Sequence, residues 1–349
     1  MNRTLKSVVL LPWWLLQVFS QSKSFTANPI LGNRLLNRLG LHVGRIIVAR
    51  AARAVRLTLI APFVEKELRK AYWRDGFILV ENFLPDDKFD ALCNDVQQNA
   101  RSLEVRECIQ GDTLTHRILL DEEAAGQMPG VSNLIENRRY LGLLAFVAAS
   151  WKRPLFYIQQ IANGFATGAG KSVADPQKTL HSDTFHPTMK AWFFLDDVPM
   201  ENGPFNYVPG SHRLTMGRLK WEYQRSVNIH DLENTYSKRG SMRADDDDLK
   251  QMGFGPRRAV SVKKNTLVVA DTTGFHCRGQ AQHHAKRLEL WAYSRTNPFS
   301  LVSGIGSRIA SRIENRGAKA LWRYEDKKAA ARGGKSSWHI VDAKKVFED

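Results

Sequence analysis

Apolar residues recur along this chain with two different periods, and the change of period divides it. Over 41–60 the period is helical. Ile47, Val48, Ala51, Val55 and Leu59 share one side of a helical wheel, and Arg45, Arg50, Arg53 and Arg56 share the other. Ahead of it, residues 8–19 form an apolar run containing Trp13 and Trp14, preceded by Arg3 and Lys6. That run is shorter than the about 20 residues a spanning helix needs. The residues after it lack the small-x-small pattern of a signal-peptide cleavage site. Tryptophans beside cations instead suit a segment lying at a membrane interface. From residue 64 the pattern changes: a helix over 64–73, a turn at Asp75-Gly76, a strand over 77–80, and a helix opened by Pro85-Asp86-Asp87 that turns Phe89, Leu92, Cys93 and Val96 to a core.

Beyond residue 155 the period becomes two. Short strands are expected over 155–161, 190–195, 205–208, 259–262, 267–270 and 289–293, divided by turns such as Asn202-Gly203-Pro204 and Thr273-Gly274. Many short strands of this kind predict a sandwich or double-sheet barrel. A polar insertion at about 214–258 interrupts them. Its Asp245–Asp248 run lacks the spacing and glycine of a calcium loop, and reads as a solvated loop or a helix start.

Composition narrows the class. The 349 residues are 43 % apolar and 25 % charged, which excludes a disordered, collagenous or multi-span chain. Three separated cysteines, with no CxxC pair, argue against a disulfide framework or thiolate zinc site and for a reducing, cytoplasmic location. The net charge is +16 and belongs to the ends: nine basic residues and no carboxylate precede Glu65, and residues 304–349 hold eleven basic residues against six acidic. A basic amphipathic helix favours an anionic membrane surface, with peripheral attachment at its inner face. The competing expectation is that these helices pack their apolar faces on the core. Nucleic acid is not expected, since no binding motif accompanies the charge.

Chemistry concentrates at His181-Ser182-Asp183. On an extended chain residues two apart project to one face, so the imidazole and carboxylate can occupy adjacent positions on a metal. His276, after an apolar strand and a turn, supplies a third ligand and completes a facial triad that leaves positions open for a chelating co-substrate and O2. Arg287 suits the distal carboxylate of 2-oxoglutarate; its rival role is an ion pair with Glu289 or Asp271. His186 reads as a pocket or surface residue, His212 as closing a turn, and His283 and His284 as exposed. Cys277 is set aside as a ligand because such sites prefer N and O donors.

These residues occur in an order that resembles the phytanoyl-CoA dioxygenase (PhyH) family of Fe(II)/2-oxoglutarate oxygenases. Residues 72–84, beginning Tyr72-Trp73-Arg74-Asp75-Gly76, are similar to that family's opening segment. His181-Ser182-Asp183, the stretch 191–198 beginning Ala191-Trp192, the block Glu201-Asn202-Gly203-Pro204 continuing to Pro209-Gly210-Ser211-His212, then His276 and Arg287, follow at its spacing. The resemblance implies that His181, Asp183 and His276 bind Fe(II), that Arg287 binds 2-oxoglutarate, and that Trp192 lies near the co-substrate. It also implies hydroxylation coupled to decarboxylation of 2-oxoglutarate to succinate. Asp183 disfavours halogenation, since related halogenases carry a small residue there. Arg278 stands where family members often have a small hydroxyl residue.

The expected fold is therefore α+β: a double-stranded β-helix (jelly roll, cupin-like) core flanked by helices, with an N-terminal helical extension. The expected organisation is a basic helical extension over 1–62, the oxygenase domain over 63–303 and a basic helical tail over 304–349. The expected activity is hydroxylation of an unactivated carbon in a lipid, acyl or lipid-linked substrate at the cytoplasmic membrane face. Two alternatives stand beside it: a soluble hydroxylase of an acyl-CoA or other anionic metabolite, and a non-catalytic binding protein of the same fold.

Overall fold

A computed structural model describes residues 3–165, 174–282, 284–302 and 304–347, so His283 lies outside the described residues. In chain order its strands are β1 (Phe77–Val80), β2 (Val105–Gln110), β3 (Thr113–Leu119), β4 (Leu155–Asn163), β5 (Met189–Phe194), β6 (Phe205–Tyr207), β7 (Arg258–Val260), β8 (Thr266–Asp271), β9 (His276–Arg278), β10 (Ala285–Ser294) and β11 (His339–Val341). Eight of them form one sheet in the order β1-β8-β5-β10-β4-β3-β2-β11, and β7-β6-β9 form a second. Neighbouring strands run antiparallel. The jelly-roll core with flanking helices is the fold the sequence predicts.

Alternation along the strands decides what the large sheet does. Met189, Ala191 and Phe193 of β5, Leu288, Leu290 and Ala292 of β10, and Phe156 and Ile158 of β4 point into one apolar core. The helix Arg138–Ala148 covers that face with Leu143, Leu144, Phe146 and Val147. The intervening residues, including Lys190, Trp192, Arg287, Trp291 and Tyr157, point the other way and line a cavity.

Strands β2, β3, β9 and β11 go beyond the sequence expectation. Thr113, Thr115 and Arg117 on β3 and Arg106 and Glu107 on β2 make these strands polar enough to hide their apolar period. The last of the expected strands begins early, at Ala285, which brings Arg287 inside β10 opposite Ile161 of β4.

Three helices precede the sheet: α1 (Arg3–Val18), α2 (Arg34–Arg38) and α3 (Leu41–Ile60). The span of α3 is the predicted one, but the wheel's apolar stripe and cationic stripe are turned the opposite way from core packing: the arginines go inward. Arg45, Arg53 and Arg56 are 6 %, 4 % and 4 % exposed, whereas Ile47, Val48, Val55 and Leu59 are 47 %, 54 %, 49 % and 61 % exposed. The inward side carries these arginines together with Ile46, Ala49, Ala52, Leu57 and Ile60, and the stripe through Ile47, Val48, Val55 and Leu59 faces outward. The cause is an unusual supply of acceptors. Arg45 Nε donates to Val18 O at 2.8 Å and its Nη2 to Ser22 O at 2.7 Å, with the guanidinium 4.1 Å over the Phe185 ring. Arg56 Nε donates to Ala149 O at 2.9 Å, and Arg53 donates to the Tyr72 hydroxyl. Loop and helix-end carbonyls thus satisfy guanidinium forks that would otherwise need water.

The acidic run forms a helix start, not a solvated loop. Asp245 and Asp248 build a capping box on the helix Asp246–Met252, and Asp248 accepts from Trp221 Nε1 at 2.7 Å and pairs with Arg225. The C-terminal tail forms the helix Arg308–Ala330 and then β11, which extends the large sheet by pairing with β2. Among the described residues no helix is long and apolar enough to cross a membrane.

Candidate active site

His181 and His276 sit directly opposite each other across the two sheets' edge. His181 N donates to His276 O at 3.0 Å and His276 N donates to His181 O at 2.9 Å, a closely spaced antiparallel pair. Their ring centroids are 4.6 Å apart. Asp183, two residues on, is anchored by its N–H to Thr272 O at 2.9 Å. Its Oδ1 lies 3.7 Å from His181 Nε2 and 3.8 Å from His276 Nε2. The three possible ligand atoms fall within 4.8 Å of one another, and all three residues are buried.

The tautomers are fixed by the backbone. His181 Nδ1 lies 2.7 Å from Thr179 O and His276 Nδ1 lies 2.9 Å from Gly274 O. A ring nitrogen facing a carbonyl must carry the proton, so each Nε2 is left with its lone pair turned toward Asp183. His276 Nε2 has no hydrogen-bond partner although it is buried. Burial, with His276 adding repulsion, holds His181 well below the usual imidazole range, and burial brings His276 down to about 4. Burial alone would raise the Asp183 carboxyl, but the Lys190 ammonium and the two imidazoles outweigh it and hold the group well below the ordinary range. Two neutral imidazoles and one carboxylate, buried with an orphaned nitrogen among them, fit a divalent iron.

The triad opens onto a cavity of about 440 Å³. Five lining residues are cationic (Arg117, Lys190, Arg278, Arg287 and Arg295), and Asp183 is the one carboxylate among the described lining. Arg287 is held by Gly203 O at 2.7 Å and Glu289 at 3.3 Å, so the ion pair anticipated as its rival role is present while it still faces the cavity. Trp192 packs on Phe205 at 4.6 Å between centroids, and Phe205 in turn lies 6.0 Å from the His276 ring. Arg278 is neutralised by Asp175 at 2.6 Å. Arg117 and Arg295, by contrast, have no carboxylate within ion-pairing distance among the described residues. Arg117 lies 3.9 Å over the Trp291 ring and 4.6 Å over Trp338, and Arg295 lies 5.2 Å over Tyr293.

Several of these residues escaped the sequence reading. Lys190, which pairs with Asp183 at 2.7 Å, carried a signal: it is a lysine at the cavity-facing register of an apolar strand, two before Trp192. Lys23 donates to Asp183 O from 160 residues away, and Trp322 and Trp338 come from the tail; no local pattern marks them. The remaining histidines separate from the triad. His186 is buried beside Pro187, neither at the surface nor in the cavity lining. His212 packs on Tyr72 at 5.1 Å, a structural role, and His284 is exposed. Cys277 is buried 4.0 Å from Arg257, outside the ligand cluster.

The family model described as phytanoyl-CoA dioxygenase (PhyH) matches residues 72–246, half of the chain. That span contains His181, Asp183 and Trp192, while His276 and Arg287 follow it. No curated relative matches the chain by sequence. Among solved structures, the non-heme alpha-ketoglutarate-dependent epimerase SnoN from nogalamycin biosynthesis is 18 % identical, over 67 % of this chain and 82 % of its own, with a TM-score of 0.43. HygX from Streptomyces hygroscopicus, with nickel and 2-oxoglutarate bound, is 16 % identical over 67 % of this chain and 88 % of its own, with a TM-score of 0.41. EctD from S. alaskensis, with 2-oxoglutarate and 5-hydroxyectoine, is 16 % identical over 68 % and 80 %, with a TM-score of 0.43.

Proposed function

Because this chain belongs to the phytanoyl-CoA dioxygenase (PhyH) family of iron- and 2-oxoglutarate-dependent dioxygenases, we propose that it hydroxylates an unactivated carbon of an anionic lipid or lipid-linked substrate at the cytoplasmic membrane face. The observation that carries the hydroxylase reading is the buried triad with both Nε2 lone pairs turned toward one carboxylate at the wall of a cationic cavity. In this reading His181, Asp183 and His276 hold Fe(II), Arg287 holds 2-oxoglutarate, and Trp192 lies near the co-substrate. Bound iron, with 2-oxoglutarate and O2 as co-substrates, supplies the oxidising power, and succinate and CO2 are the by-products.

The chain's own groups do the rest. Thr179 O and Gly274 O lock the two imidazoles in the tautomer that presents Nε2. Lys190 keeps the Asp183 carboxyl ionised, so all three donors are ready at neutral pH without losing a proton. Trp192, Phe205 and Trp291 exclude water from the space above the triad. Arg117 and Arg295, cations with no carboxylate partner among the described residues, supply the charge that would orient a phosphate or carboxylate of the substrate. The division into a membrane-facing extension over 1–62, an oxygenase domain over 63–303 and a tail over 304–349 is part of the same reading.

The same two arginines also favour a second reading, a soluble hydroxylase of an acyl-CoA or other anionic metabolite. Comparing lipid and soluble fractions by mass spectrometry, with intact protein and with Asp183→Ala, separates them. A one-oxygen gain confined to a lipid supports the first reading, and one confined to a soluble metabolite the second. Failure of the intact protein to turn 2-oxoglutarate into succinate in either fraction sinks both.

A further inference from the structure

The outward face of the N-terminal helices has no partner among the described residues. Besides Ile47, Val48, Val55 and Leu59, the exposed residues of α3 are Ala51, Ala54 and Thr58, so no charged side chain interrupts the stripe from 47 to 59. Phe63, one turn beyond, is 70 % exposed and continues it. On α1, Val9, Trp13 and Leu16 are exposed on more than one side of the helix, and Phe19, just past its end, is exposed too. That helix is nevertheless fixed in place: Asn28 Nδ2 donates to Trp14 O at 3.0 Å and to Gln17 Oε1 at 2.9 Å, and Arg45 holds Val18 O. The apolar surface is therefore part of the fold, not a fraying end.

Two further observations say what covers it. Leu35 and Leu39 of α2 are exposed in alternation with exposed Arg34 and Arg38, in a segment with nine cations and no carboxylate. Past Phe63 the stripe runs into an apolar groove of about 690 Å³ between the helix Arg138–Ala148 and the stretch around Ile305, edged by Arg138 and by Arg139, Lys152 and Arg153, which pair with Glu65, Glu314 and Glu136. A continuous apolar surface whose own stripe carries no carboxylate, with the exposed Arg38 and the groove-edge Arg138 beside it, matches acyl chains beneath anionic headgroups.

We infer that the exposed apolar stripe of α3, together with α1 and Phe63, inserts into the acyl layer of an anionic bilayer while the arginines of α3 stay inside the protein. This deepens the membrane part of the proposed function and rests on it. Attachment is accordingly hydrophobic in kind, with Arg34 and Arg38 adding a minor electrostatic share. It is the reverse of the usual basic amphipathic helix, in which the cations meet the lipid and salt detaches the protein.

Flotation of the full chain with phosphatidylcholine–phosphatidylglycerol vesicles tests this. The expected result is flotation at low and at high salt alike. The V48E/V55E/L59E variant should lose at least about tenfold in partitioning, since each large apolar side chain withheld from lipid forfeits more than a factor of ten in full burial. All three side chains are exposed, so circular dichroism and 2-oxoglutarate-dependent iron binding should match the unaltered protein. Flotation abolished by salt, or unchanged in the triple variant, overturns the inference while leaving membrane attachment standing. A vesicle-free dimer that the triple variant dissolves overturns it in favour of a second copy on this face. No flotation of the intact chain removes both the inference and the membrane part of the proposed function, without touching the hydroxylase reading.

Discussion

At the level of single residues, burial and paired charge set which protonation states the protein can hold. Glu222 is the clearest case outside the active site. Its carboxylate meets Arg218 at 2.7 Å and His42 at 3.0 Å, all buried. Burial alone would raise it, but Arg218 and His42 bring it down to about 2. A carboxyl depressed from 4.5 contributes stability that is complete above pH 4.5, declines as pH falls, and is gone below about 2. The contribution is about 3 kcal/mol. Acid unfolding of Glu222→Gln should lack this part of the pH dependence; an unchanged acid limb would show that Glu222 is not ionised by its partners. In the cavity, Arg117→Met should raise KM for the hydroxylated substrate and leave uncoupled conversion of 2-oxoglutarate nearly unchanged. Equal losses in both would place Arg117 on the co-substrate instead. The H-x-D pair was legible in the sequence because residues two apart on an extended chain must share a face. Lys190 was legible only in hindsight, and Lys23 not at all, since its contact with Asp183 depends on how the N-terminal segment returns over the site.

At the level of elements, α3 shows what a helical wheel can and cannot say. The period located the helix Leu41–Ile60 and separated its two faces, but which face turns inward depends on what lies opposite. Here the opposite surface offers Val18 O, Ala149 O, the Tyr72 hydroxyl and Thr273 Oγ1, all acceptors, and the arginines go to them. The consequence reaches the His181–Asp183–His276 triad. Tyr72 donates to Asp271 Oδ2 at 3.0 Å, Asp271 Oδ1 accepts from Thr273 N, and that turn delivers His276. Arg53→Met leaves Asp271 buried with less compensation, and a broken buried pair costs about 3–5 kcal/mol. Urea unfolding should show a loss of that size, with weaker iron retention. Arg34→Ala, at the exposed end of a surface pair with Asp231, should change stability by less than about 1 kcal/mol. Similar small losses for both would mean the buried arginines do not hold the loop. Six strands from residue 155 onward were legible by their period of two, whereas β2 and β3 were not, because polar residues interrupt their period, and β9 and β11, three residues each, show no period.

At the level of the whole molecule, the +16 charge has two destinations. Part of it is structural: Lys23, Arg45, Arg50, Arg53 and Arg56 all point into the protein and brace the loops around the site. Removal of residues 1–60 should therefore yield an unstable protein and not a soluble, active oxygenase; thermal unfolding of the truncated chain checks this. Another part surrounds the cavity, where Arg117, Lys190 and Arg295 stand near the triad and the tail closes the wall with Trp322 and Trp338. The charge concentrated at the chain's ends was visible in the sequence, but its inward direction was not. The central assignment is the buried triad. Anaerobic addition of Fe(II) and 2-oxoglutarate to the full chain should give a visible charge-transfer band that saturates at one iron per chain and is missing from Asp183→Ala. A folded, intact chain that gives no band at saturating iron and co-substrate would contradict it.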